Sequence, residues 1–172
     1  NDTITGDGVA NVLNGGAGDD TIDGKAGNDV INGGAGNDLF TIDFSSVDTI
    51  DGGANTLKDT VKFNAGNTGT SIATDTNFVM SSTLTNIEKL DITGLTLNTA
   101  NNSTEFNFTE AMIDAWTGSS TGNLTLSFTS SQREKIMFTD SGGTVRDSAA
   151  EIVDNTTYTI GNSSLTIDIT DV

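Results

Sequence analysis

The chain has 172 residues, 24 acidic and 7 basic, for a formal net charge of -17; Gly makes up 20 of them, 34% are hydrophobic, and there is no His, Cys or Pro. That charge repels phosphate backbones and anionic lipid surfaces, which argues against nucleic acid and membrane surfaces as partners. The absent side chains exclude disulfides, thiol and imidazole chemistry, the Ser-His-Asp triad and the usual zinc sites, so a metal here is held by oxygen, and Asp-rich oxygen surroundings select calcium or magnesium.

The acid is concentrated at the start. Residues 1 to 59 hold 11 Asp and 2 Lys, leaving -9, while residues 60 to 172 hold 13 acids and 5 bases, leaving -8 over a much longer stretch. Such self-repulsion penalises a compact state unless a bound cation neutralises it. The same stretch is periodic. Ile4, Leu13, Ile22, Ile31 and Phe40 stand nine residues apart, and Asp2, Asn11, Asp20, Asp29 and Asp38 precede them by two. Residues 15 to 23 read GGAGDDTID, 24 to 32 GKAGNDVIN and 33 to 41 GGAGNDLFT, after a weaker GDGVANVLN at 6 to 14. This is the nonapeptide G-G-x-G-x-D-x-U-x, the calcium-binding repeat of RTX proteins. A flexible Gly-rich linker has no need of an apolar residue at every ninth position.

Each unit has a physical reading. A glycine-rich hexapeptide, as at Gly15, Gly16 and Gly18 or Gly33, Gly34 and Gly36, reverses the chain and turns its carbonyls inward. The next three residues form a short strand whose middle side chain enters the core. Two units complete one coil, so turns two units apart stack, and a cation between them can collect the six to eight oxygens calcium prefers. The candidate ligands are the carbonyls of Gly15, Ala17, Gly24, Ala26, Gly33 and Ala35 and the side chains of Asp2, Asn11, Asp20, Asp29 and Asp38. The best-formed site is expected between turns 15 to 20 and 33 to 38, using Asp20 and Asp38. On the opposite side turn 24 to 29 pairs with turn 6 to 11, where Asn11 in place of a carboxylate weakens the site. Asp2 implies a further site completed by turn 15 to 20. Lys25, where the second Gly belongs, reads as a tolerated solvent-facing substitution.

After Phe40 the pattern degrades. Residues 48 to 61, DTIDGGANTLKDTV, keep a Gly pair and an Asp-x-apolar triplet at stretched spacing, which reads as the roll's end or cap. The division expected is residues 1 to 60, a calcium-binding β-roll with a degenerate cap, and residues 61 to 172, a β-rich C-terminal region. Alternating segments predict strands at 78 to 81, 87 to 93, 123 to 129, 134 to 139, 157 to 160 and 165 to 170, the last two joined as a hairpin through Gly161 to Ser164. TEAMIDAW predicts one short helix capped by Thr109, with Ala111, Met112, Ala115 and Trp116 on one face and Trp116 read as core. The fold class expected is mainly β: a calcium-bound parallel β-roll followed by a β-rich C-terminal domain with one short helix.

The nonapeptides at 6 to 41, the NIEKLDITG segment at 86 to 94 and the terminal YTIGNSSLTIDITDV together resemble the extreme C-terminal region of large RTX adhesins exported by type I secretion systems. The resemblance implies a secreted or bacterial cell-surface protein, an uncleaved C-terminal export signal within residues 61 to 172, a type I secretion transporter as partner, and folding driven by calcium outside the cell. A glycan or surface ligand would then be a partner through the parent protein. The tail of an S-layer or surface-array subunit and the RTX tail of a secreted toxin or hydrolase are the alternatives. No catalytic residues are expected; a glycosidase-like carboxylate pair is the one enzymatic reading left open. No apolar run approaches the 18 residues of a membrane span and no leader opens the sequence, so neither a membrane helix nor the general secretory path is expected. Asn1 stands in mid-repeat, so the sequence reads as a piece of something longer.

Overall fold

The computed structural model describes residues 1–43, 46–53, 58–63, 83–93, 106–108, 110–119, 123–129, 136–139, 145–146, 156–160 and 162–170. Strands β1 Thr3–Thr5, β2 Val12–Ala17, β3 Thr21–Asp23, β4 Val30–Ala35, β5 Leu39–Ile42, β6 Thr49–Asp51, β7 Thr60–Phe63, β8 Thr83–Thr85 and β9 Lys89–Asp91 alternate between two parallel sheets. After them come β10 Phe106–Phe108, helix α1 Glu110–Thr117, β11 Asn123–Thr129, β12 Ile136–Thr139, β13 Val145–Arg146, β14 Thr157–Ile160 and β15 Ser163–Thr170. The odd strands up to β11, followed by β15 and β14, form one eight-stranded sheet in the order β1-β3-β5-β7-β9-β11-β15-β14, the even strands up to β8 a four-stranded sheet β2-β4-β6-β8, and β10-β12-β13 a third. Among the described residues the protein is mostly β, with a β-roll at its start and one helix.

The nine-residue period dictates this arrangement. Each nonapeptide contributes one strand, successive strands fall in opposite sheets, and every second one pairs in parallel, as in Ile4↔Ile22↔Phe40 and Leu13↔Ile31. The apolar file then continues without the period: Phe40↔Val61↔Leu90↔Leu126↔Ile167 in the large sheet and Ile31↔Ile50↔Leu84 in the small one. Extra residues are absorbed in the connections while the inward register survives, because a slip of one would turn each of these side chains to solvent. Ile22, Phe40, Ile50, Val61, Leu90, Leu126 and Ile167 are fully buried, each contributing about 1.5–3 kcal/mol. The large sheet therefore runs unbroken across residue 60, where the nonapeptide pattern has already lapsed.

Helix α1 closes the end of the roll, packing on β8, β11 and β15; the Ile87 N–H donates to the Trp116 carbonyl at 2.7 Å. Its buried face is Ile113 and Trp116 with Met112 partly covered, whereas Ala111 and Ala115 face solvent. The expected face is thus corrected by one position: the bulky side chains bury the most area, so they set the helix's rotation and the two alanines are left outside. Trp116 is core, as expected, and Gly118, at φ 66°, ends the helix. The proposed cap Thr109 and the strand at 78 to 81 lie outside the described residues.

The hairpin is tighter than predicted. Ile160 pairs with Ser163, so two residues connect β14 to β15 and Ser163 and Ser164 belong to the strand. Ser163 is drawn in because its hydroxyl donates to Asp114 of α1 and is buried there. β15 is an interior strand, flanked by β11 on one side and β14 on the other. Across β9, β11 and β15, Asp168 Oδ2 accepts from Ser127 Oγ at 2.6 Å and from Lys89 Nζ at 3.1 Å. The Ser127 hydroxyl first, and the Lys89 ammonium with it, hold the Asp168 carboxyl below the usual carboxylate range.

Candidate metal centre

The glycine turns stack as two units per coil requires. Turn 15 to 20 lies on turn 33 to 38, with Gly18 N–H donating to the Ala35 carbonyl at 2.7 Å. On the other edge the Gly24 carbonyl lies over Gly6, and the Asn11 N–H donates to Asp29 Oδ1 at 2.8 Å. Lys25 does point to solvent, where it pairs with Asp23 at 2.6 Å. Its backbone nonetheless takes the left-handed φ of 68° that the missing Gly would have supplied, at a cost of roughly 1–2 kcal/mol.

The carboxylates carry a second arrangement that spacing alone does not reveal. Asp20 Oδ1 accepts the Asp2 N–H at 2.5 Å, Asp38 Oδ1 the Asp20 N–H at 2.8 Å, Asp59 Oδ1 the Asp38 N–H at 2.8 Å, and Glu88 Oε2 the Asp59 N–H at 2.9 Å. Along the opposite edge Asp29 serves Asn11, and Asp48 Oδ1 accepts the Asp29 N–H at 3.0 Å. The residue before each Asp builds a companion ladder of opposite sense: Asn1, Asp19 and Asn37 side-chain oxygens accept the N–H groups of Asp19, Asn37 and Lys58 at 2.7, 2.8 and 2.9 Å. Consecutive Asx residues thus tie each coil to the next in both directions, supplying acceptors to turn amides that no strand reaches.

Three of the ladder carboxylates use one oxygen and leave the other without a donor. Asp20, Asp29 and Asp38 are each only 1% exposed, yet the Oδ2 atom of all three is buried without a hydrogen-bond donor. A buried, half-satisfied carboxylate costs several kcal/mol unless a cation compensates it. Burial above all, with the Asp20 charge beside it, pushes the Asp38 carboxyl above its ordinary range; Asp48 and Glu88 are pushed up by burial as well. The turn also holds the space a cation needs. A methyl group on Gly15 would stand 2.5 Å from Asp20 Oδ2 and 2.6 Å from the Gly33 carbonyl oxygen, so two oxygens from two stacked turns border one point that only glycine leaves open. Among the described residues no three acidic side chains gather into a metal site by themselves, so a cation here draws on backbone carbonyls, the hard oxygen donors calcium accepts. These residues fit calcium.

The predicted ligands do not stand alike. Asp20, Asp29 and Asp38 each hold a buried Oδ2 without a donor, and at Asp20 and Asp38 a carbonyl of the next coil, Gly33 or Gly52, stands nearby. Asn11 is engaged within its own turn, its Oδ1 accepting the Asp7 N–H at 2.9 Å and its Nδ2 donating to Asp7 Oδ1 at 3.2 Å. Asp2 lies exposed at the first coil and joins the ladder through its N–H. Three ladder members were not among the predicted ligands: Asp48, Asp59 and Glu88. Their signal was present, since each stands two residues before an inward apolar side chain, Ile50, Val61 or Leu90. What hid them was spacing, because their partners lie 19, 21 and 29 residues away instead of 18.

Comparison with known proteins places the first part of the chain. Residues 5–40 match the RTX calcium-binding nonapeptide repeat, in four copies. No curated protein and no solved structure matches the chain. The repeats bind calcium, and they imply a calcium-binding module of a type I secreted protein. Among the described residues no helix is long and apolar enough to cross a membrane. The matched segment ends at residue 40, before Asp48, Asp59 and Glu88.

Proposed function

We propose that this chain is a calcium-dependent folding and export module: a roll that orders when calcium fills its turns, joined to a C-terminal region read by a type I transporter, at the end of a secreted or surface adhesin. The observation that carries the reading is the trio of buried carboxylate oxygens without donors, Asp20, Asp29 and Asp38 Oδ2, inside turns of the calcium-binding repeat. Calcium bound there supplies the positive charge and the coordination shell those oxygens lack. Without it the acidic turns repel and three-residue strands hold a sheet poorly, which suits a chain that must thread a channel unfolded. The ladder hydrogen bonds and the apolar file then make ordering cooperative, since each coil supplies the acceptors of the one before.

The export half of the proposal is supported by the resemblance of residues 86 to 94 and 158 to 172 to adhesin termini. Deleting Leu165 to Val172 tests it, with truncated protein measured both in the medium and inside a type I secreting host. Retention of the truncated chain in the cells is the expected result. A truncated chain that reaches the medium in normal amount, merely destabilised by losing most of β15, overturns the export reading and leaves the calcium module standing.

A further inference from the structure

We infer that the roll binds a calcium ion beyond its four nonapeptides, between turn 33 to 38 and the oxygens of Gly52 and Asp59. The inference rests on the calcium reading above and extends it to residues outside the matched segment.

Three observations carry it. The first is an open ligand. Asp38 is 1% exposed, its Oδ1 is used by the Asp20 N–H, and its Oδ2 has no donor. The second is that Gly52 and Asp59 place their oxygens where a regular turn would. Around Gly15, a β-carbon would run into Asp20 Oδ2 of its own turn and the Gly33 carbonyl of the next; around Gly33 the corresponding obstacles are Asp38 Oδ2 and the Gly52 carbonyl, the latter at 2.7 Å. The Gly52 carbonyl is fixed there by accepting the Gly34 N–H at 3.0 Å. Asp59 also reaches back toward Gly52 as Asp20 does toward Gly15, Oδ2 standing 2.5 Å from a β-carbon built on Gly52. The third is the ladder: the Asp38 N–H donates to Asp59 Oδ1 at 2.8 Å, the same bond as between Asp20 and Asp38, so Asp59 is carried to the ligand position despite a separation of 21 residues.

Asp38, Gly52 and Asp59 therefore supply the three elements a stacked site needs: the carboxylate of the lower turn, and a carbonyl and a carboxylate of the next coil. Its oxygens are hard and its charge is high, which fits a calcium ion.

Calcium titration of the full chain by calorimetry, with ion counting by native mass spectrometry, tests the assignment. Asp59→Asn keeps an oxygen for the Asp38 N–H but removes a ligand charge. Asp51→Asn makes the same charge change beside Gly52, on a side chain engaged with the Gly53 N–H and Asn86 Nδ2. The expected result is one fewer ion, or one site weakened at least about tenfold, in Asp59→Asn and no change in Asp51→Asn. Identical titrations for wild type and Asp59→Asn overturn the inference, and so do equal losses in both variants, which would mean diffuse charge attracts the ion. Should Asp59→Asn fail to order, anomalous scattering from wild-type crystals grown with calcium decides. Density between Asp38 and the Gly52 carbonyl supports the site. Density between Asp20 and Gly33 with none at Gly52 removes the site while sparing the calcium module, and no density at either removes both.

Discussion

Removing calcium should unfold the first 63 residues selectively, and the size of the effect follows from the count of open oxygens. Three buried Oδ2 atoms without donors mark three ligand positions. Extracellular calcium modules bind at roughly 0.1–1 mM, so about tenfold excess adds about 1.4 kcal/mol per site, and three sites about 4 kcal/mol, comparable with the lower end of a domain's whole stability. Amide exchange reads this directly. The ladder amides of Asn11, Asp20, Asp29 and Asp38 should lose about a thousandfold protection when calcium is chelated. Acid supplies a second arm with a definite sign. The carboxyls of Asp38, Asp48 and Glu88 are held above the ordinary values of 3.8, 3.8 and 4.5, in each case chiefly by burial. In chelator the folded roll then binds protons more tightly than the unfolded chain, so it gains stability as pH falls through the raised values, and the full penalty stands above them. In calcium the same protons compete with the cation, and acid should weaken the roll. Equal protection of the ladder amides in calcium and in chelator would refute the reasoning, as would a pH response of one sign under both conditions.

Asp20→Ala should weaken calcium binding at its site at least about tenfold in calorimetry, whereas Asp7→Ala, which removes an exposed side chain bonded within its own turn, should change it little; equal losses would point to diffuse charge. Gly15→Ala places a methyl 2.5 Å from Asp20 Oδ2 and should raise the calcium midpoint of folding by circular dichroism, while Gly8→Ala, with nothing within 4 Å, should leave it unmoved. Phe40→Ala empties the file between Ile22 and Val61 and should cost about 3–5 kcal/mol in calcium-saturated denaturation. Asp168→Asn should lower stability above pH 3.8, because the folded carboxyl is held below that value by Ser127 and Lys89; the loss should fade as pH falls through the folded value.

The roll was readable because its period is a physical requirement. A coil that returns after two units must place an apolar residue inward and a turn outward at fixed intervals, and Ile4 to Phe40 display that without a slip. Beyond Phe40 the requirement is weaker. Val61, Leu90, Leu126 and Ile167 must still share a file, but nothing prescribes the length of chain between them, so their pairing cannot be read from spacing. The strand at 123 to 129 was legible by alternation and lies where it was expected, as do those at Lys89–Asp91 and Ser163–Thr170; that these two flank it in parallel was not legible. Helix α1 shows the same limit: Trp116 signals burial by its bulk, but the rotation of an eight-residue helix is settled by Ile113 and by what β8, β11 and β15 present to it.

In the candidate site each position-six Asp was expected to be a ligand, and the structure adds a use the spacing did not reveal, the ladder bond. Asp20 and Asp38 spend Oδ1 on an amide of the preceding coil and leave Oδ2 buried without a donor. A carboxylate does both because its two oxygens offer several acceptor directions, while an amide side chain offers one oxygen. Position five needs only the ladder bond, and it admits Asp19, Asn28 and Asn37 alike, with Asn28 Oδ1 accepting the Val47 N–H at 3.0 Å. Where position six becomes Asn11, the single oxygen turns to the Asp7 N–H. Both roles must fail together when such a carboxylate is lost, so a variant that keeps the amide acceptor and deletes the charge, as Asp38→Asn does, is the one that separates folding of the coil from capture of the ion.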